Sequence, residues 1–123
     1  MNPTSAAERA ASPVRLTREP DFLLGAWRVR PSTAEVDLGE TTEHLEPRVM
    51  EVLVALVRAR SAPVSREDLT ASCWNGVVVS DDAVNRVIAR LRRLSEHDGA
   101  PFRIETLRRV GWRLVEVEAE PSQ

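Results

Sequence analysis

The apolar periodicity of this chain changes at Glu46-Pro47, from about two residues to about 3.6, and that change divides what can fold on either side. Before it, Phe22 to Val29 alternate. Leu23, Trp27 and Val29 fall on one side, Arg28 and Arg30 on the other, and Gly25 marks a bulge or break. Pro31-Ser32-Thr33 turns the chain. Val36 and Leu38 alternate with Glu35 and Asp37, and Gly39-Glu40 turns it again before the β-prone stretch Thr41 to Leu45. Residues 21–45 therefore predict a small antiparallel sheet of three or four strands.

After the change the pattern is helical. Pro47 suits a first helical position, where its missing N–H costs nothing. Val49, Val52, Leu53, Leu56 and Val57 make one apolar face, with Arg48, Glu51, Ala55 and Arg58 turned away, as far as about Arg60. Ser65 to Asp68 reads as a capping box opening a short helix that ends near Trp74, and Asn75-Gly76 breaks it. Ser80 is an N-cap, with Asp81 and Asp82 in the first turn where the helix dipole favours acids. From Asp81 to about His97, Val84, Val87, Ile88, Leu91 and Leu94 share one sector. Asp82, Asn85, Arg86, Ala89 and Arg93 oppose it, flanked by Arg90 and Arg92. Asp98-Gly99-Ala100-Pro101 stops this helix. Phe102 to Thr106 and Gly111 to Val117 read as two strands joined at Leu107 to Val110. The expected fold class is α+β: a winged helix-turn-helix with an N-terminal antiparallel sheet, three helices and a C-terminal β-hairpin wing. Residues 1–20, punctuated by Pro3, Pro13 and Pro20, read as a flexible tail, 21–116 as one domain, and 117–123 as an acidic tail.

Charge is distributed unevenly. The chain's net charge is −2, yet Ala83 to Arg113 holds eight arginines against three acids. All 17 basic residues are arginine, the side chain suited to planar, bidentate recognition of phosphate and guanine, although Arg-rich codon usage gives the same composition. The single cysteine, Cys73, excludes an internal disulfide framework and a Cys-rich zinc site. His44 and His97 stand 53 positions apart with no carboxylate at ligand spacing, and the five glycines are scattered singly rather than in a phosphate loop. No metal, cofactor, small-molecule ligand or enzymatic activity is expected. Cys73 falls on the inward face of the short helix and reads as a buried, inert thiol. A reducing cytoplasm is the expected location.

The stretches LEPRVMEVLVAL, SREDLTASCW, VVSDDAVNRVIARLRRL and RIETLRRVGWRL together resemble the OmpR/PhoB-type winged-helix DNA-binding domain, in particular the CadC-like branch of one-component bacterial transcriptional regulators. The resemblance covers about residues 21–116 and implies sequence-specific binding of double-stranded DNA, with the third helix in the major groove and the wing on backbone or minor groove. It also implies a loop at Asn75, Gly76 and Val77 that contacts RNA polymerase or the adjacent backbone. Two departures stand out. Val110 replaces the basic residue common before the closing Gly111, and Trp112 replaces the usual tyrosine.

On the third helix the expected DNA-facing residues are Asp82, Asn85, Arg86, Ala89, Arg90 and Arg93, and on the wing Arg108 and Arg109. Arg86 and Asn85 match the bidentate partners of guanine and adenine, and Ala89 is small enough to meet a thymine methyl. Asp82 reads first as a helix-dipole partner and second as a reader of cytosine. Arg66, Trp74 and Arg92 are backbone candidates. Trp74 is also expected to pack on the core, and Arg92 has an equal alternative in an i, i+4 pair with Glu96. The expected state is a monomer that forms a tandem dimer on DNA. The alternative function is a winged-helix interaction module docking on RNA polymerase or another regulator. The branch commonly continues into a membrane helix, so the chain is read either as the cytoplasmic domain of an anchored regulator or as a short free-standing one.

Overall fold

The computed structural model describes residues 12–117. Four short strands come first: β1 (Phe22–Leu24), β2 (Trp27–Arg30), β3 (Glu35–Asp37) and β4 (Thr42–His44). They pair antiparallel in sequence order, with Val29 opposite Val36 and Val36 opposite Glu43. Three helices follow, α1 (Pro47–Arg58), α2 (Arg66–Cys73) and α3 (Asp81–Leu94), and then a hairpin of β5 (Phe102–Leu107) and β6 (Gly111–Glu116). This is the α+β winged-helix order expected from the sequence.

The caps form as the sequence predicts. Ser65 Oγ accepts the Asp68 N–H at 3.0 Å and the Asp68 carboxylate accepts the Ser65 N–H at 3.2 Å. Ser80 Oγ accepts the Ala83 N–H at 3.2 Å, with Asp81 and Asp82 in the first turn of α3. Val84, Val87, Ile88, Leu91 and Leu94 are all buried, so one stripe of α3 faces the core. There they meet Leu53 and Leu56 of α1, Leu69 of α2, and Phe102, Ile104 and Leu114 of the hairpin in one cluster.

Three expectations change. Leu23 is exposed, whereas Leu24, Trp27 and Val29 are buried. The chain reverses at Gly25, whose φ is +60°, and Leu24 pairs with Trp27 across the turn. Leu23 then lies opposite Arg28, on the outer face. Ala55 is fully buried together with Met50 and Val54, because α1 is covered by α2, α3, the hairpin and the segment before β1. That segment is the third change. Residues 12–20, read as tail, pack on the helices: Val14 is buried and its N–H donates to the Ser72 carbonyl at 2.9 Å. Leu16–Arg18 makes one 3-10 turn, and Arg58 pairs with Glu19 and donates to the Ser12 carbonyl. The contacts are backbone bonds, the apolar Val14 and Leu16 against the core, and the ion pair and hydrogen bonds of Arg58, and they leave no periodic signature in sequence. The rest of the N-terminal tail (1–11) and most of the C-terminal one (118–123) lie outside the described residues.

Candidate nucleic-acid interface

Helix α3 separates its two faces cleanly. Asp82, Asn85, Arg86, Ala89 and Arg93 are exposed, opposite the buried stripe, while Arg90 and Arg92 on the flanks are half-buried. Arg86, Ala89, Arg90 and Arg93 line one side of a shallow groove whose other wall is Glu46 and Val49 at the start of α1.

The eight arginines between Ala83 and Arg113 divide into two sets. Four are engaged within the chain. Arg90 donates to the Glu43 carboxylate on β4 at 2.9 Å, and Arg92 donates to the Thr106 hydroxyl on β5. Arg113 pairs with Glu105 across the hairpin at 2.7 Å, and Arg103 lies 3.7 Å from the same carboxylate. The other four, Arg86, Arg93, Arg108 and Arg109, are exposed and make no ion pair or side-chain hydrogen bond among the described residues. A guanidinium without an internal partner is held in water by its own charge and is available to an external anion. The expected pair of Arg92 with Glu96 does not form: its partner is Thr106, and it bridges α3 to the wing.

The wing is fixed to the body by backbone. The Val64 N–H donates to the Trp112 carbonyl at 2.7 Å, and the Trp112 N–H returns to the Val64 carbonyl at 2.9 Å. This bridge sets the hairpin beside the first turn of α2. Between them lies a cleft lined by Arg66, Glu67, Thr106, Leu107, Arg108, Arg109, Val110, Gly111 and Trp112. At the tip Arg109 takes a left-handed φ of +64° and Val110 is exposed beside it. Arg66 is exposed but pairs with Asp81, which ties the starts of α2 and α3 together. Trp74 is half-buried under the Arg48 guanidinium, 5.1 Å from the ring centroid, and Arg48 also donates to the Cys73 carbonyl. After Trp74, Asn75 is left-handed and the Gly76 N–H returns to the Thr70 carbonyl at 2.8 Å, which ends α2 and projects Val77 and Val78 outward. Burial pushes the Cys73 thiol up to about 11, with the Ser72 hydroxyl pulling it back, so at neutral pH it is a protonated core group.

The sequence did not point to Glu43, Glu46 or Arg48. Only Glu43 left a trace, since β4's alternation puts it on the inward row beside Val36 and Val29.

Residues 40–114 match the model of the family described as "Transcriptional regulatory protein, C terminal". The chain belongs to this family. Its OmpR/PhoB-type, CadC-like character is carried by its relatives as well. Over 100 residues it is 28% identical to the transcriptional activator CadC of Escherichia coli (strain K12), covering 80% of this chain and 20% of that one. The chain therefore spans about a fifth of the length of that relative. The DNA-binding domain of E. coli CadC superposes with a TM-score of 0.70 at 28% identity, covering 80% of this chain and 94% of that one. The DNA-binding domain of E. coli CpxR gives 0.66 at 25% identity, covering 82% and 99%. The Klebsiella pneumoniae RstA DNA-binding domain, solved in complex with its RstA box, gives 0.64 at 25% identity, covering 79% and 98%.

Proposed function

We propose that this domain binds double-stranded DNA sequence-specifically as the reading head of a bacterial transcriptional regulator. Helix α3 enters the major groove, and the β5–β6 wing lies on backbone or an adjacent minor groove. The observation that carries this is the set of four exposed arginines without a partner among the described residues, two on the polar face of α3 and two at the wing tip. A helix fills the major groove, so a helix that docks one face on a core can present the other to base edges. Asp82, Asn85 and Arg86 occupy the N-terminal half of that face, where base readout concentrates, and Ala89 lies near its centre. Arg93, two turns on, takes backbone phosphate. Arg66, by exchanging Asp81 for phosphate, and Trp74 contact the DNA backbone beside α2. The relatives named above support the same reading: all three solved ones are DNA-binding domains, and RstA holds its box.

A second reading rests on Val77 and Val78, which the loop of Asn75 to Val79 exposes with no apolar cover among the described residues. That loop docks on RNA polymerase while α3 holds DNA. The domain acts in the cytoplasm, is monomeric alone and pairs on tandem half-sites about 10 base pairs apart. No described helix is long and apolar enough to cross a membrane. Retention of genomic duplex fragments in a gel, compared with co-purification of polymerase without DNA, tests both readings. Genome-wide mapping of bound sites then gives the operator. Failure to retain any duplex at low salt defeats the DNA reading.

A further inference from the structure

We propose that Glu43 is a positioning residue for DNA reading: it withholds Arg90 from phosphate and thereby lowers the domain's affinity for DNA of any sequence. The inference rests on the DNA-binding reading above. Arg90 lines the same groove as Arg86, Ala89 and Arg93, so its charge belongs to the proposed DNA face. Unlike Arg86 and Arg93 it has a carboxylate partner, Glu43 Oε2 at 2.9 Å. Both side chains are about one-third exposed, so the pair is a weak one and is open to exchange for an external anion. Glu43 sits on the inward-facing row of β4, in line with the buried Val36 and Val29. A carboxylate on that row has its direction set by the sheet. Its other oxygen lies 3.9 Å from His97 Nε2, just beyond the end of α3.

The consequence follows from how the two kinds of complex are held. Binding to random sequence is almost entirely phosphate charge, and a free arginine finds a phosphate in every register. At a cognate site base contacts fix one register, and Arg90 gains only if a phosphate lies within its reach there. Neutralising Arg90 therefore weakens random binding more than cognate binding and raises their ratio, which is specificity obtained by subtracting attraction.

The test uses a random-sequence duplex pool and the duplex that wild-type protein enriches from it, each titrated at several salt concentrations. Glu43→Gln keeps a hydrogen-bond acceptor for Arg90 and removes the charge. The expected result is roughly threefold or more tighter binding to the random pool, a salt slope steeper by about one ion, and a smaller gain on the enriched duplex. In an Arg90→Met background the same substitution gives no gain. Glu43→Asp keeps the charge and retains the restraint, which separates charge from any loosening of β4, itself read by thermal melting. If wild type binds and Glu43→Gln leaves the random pool unchanged, improves both duplexes equally, or acts without Arg90, the role of Glu43 is overturned. If wild type binds neither pool, the DNA reading falls with it.

Discussion

Arg86 and Arg93 stand on the same exposed face of α3, about 10 Å apart along its axis, and neither has a partner among the described residues. Their chemistry is equal, and their expected roles differ through position alone. Arg86 is one turn into the helix, beside Asn85, where a recognition helix meets base edges. Arg93 is in the last turn, where the groove wall comes up to the helix.

Arg86→Ala is expected to cost about 1–3 kcal/mol on the cognate duplex, relax preference at one base pair and change random binding little. Arg93→Ala weakens all sequences alike. Neither substitution lowers the melting temperature appreciably, because neither side chain enters the core. Equal losses on cognate and random DNA for Arg86→Ala would make it a phosphate clamp like Arg93.

The wing gives a second prediction. Arg108 and Arg109 are exposed at the hairpin tip, and the acid nearest them in sequence, Glu105, is already taken by Arg113 and Arg103. Replacing both with Ala should weaken cognate and random DNA together and flatten the salt dependence by roughly one ion per lost contact. Binding unchanged at low and moderate salt would remove the wing from the interface.

Cys73 gives a third, in alkali. Its pKa in the fold is pushed up to about 11 from an ordinary value of 9.0. Between those values the native thiol keeps a proton that the unfolded chain has lost, so stability falls as pH rises through the window. By its upper end the loss is about 2–3 kcal/mol. Denaturant unfolding near neutral pH and in that window, for wild type and Cys73→Ala, should show the extra alkaline loss only in wild type. A thiol reagent at mild pH should leave the native protein unmodified.

What was legible in the sequence was local. The two serine caps, the apolar stripe of α3, the hairpin and its Arg-Arg tip all lie within a few residues of the features that specify them, and each formed where expected. The candidate site was half legible for the same reason. A helical period tells which arginines turn away from the core, but not which find a partner far along the chain. Arg90 meets a carboxylate 47 positions earlier, and Arg92 a hydroxyl on the wing. Val14 reaches Ser72 through its backbone, which side-chain pattern cannot announce. Leu23 shows the opposite failure: a turn at Gly25 reversed the phase of an alternation that was otherwise real.

The final prediction concerns the joint between wing and body. Gly111 has a φ of +150°, and a Cβ built there runs into the Val64 carbonyl oxygen and comes within 2.8 Å of Ser65 Cα. Both obstacles are backbone, in the segment that bridges to Trp112 and then caps α2. They cannot swing aside as a side chain would. Gly111→Ala therefore carries two penalties, an unfavourable φ and a forced separation of the wing from Val64, together about 2–4 kcal/mol. Gly99→Ala supplies the comparison. It also has a positive φ, +74°, but a Cβ there meets nothing within 4 Å, so only the backbone term of about 1–2 kcal/mol applies. Denaturant unfolding should rank the two in that order, and amide exchange at Val64 and Trp112 should accelerate in the Gly111 variant alone. Loosening the bridge frees the wing relative to α2, so the same variant should lose DNA affinity even under conditions where it remains folded. Equal destabilisation by the two substitutions, with both amides still protected, would show that close packing against Val64 does not hold the wing.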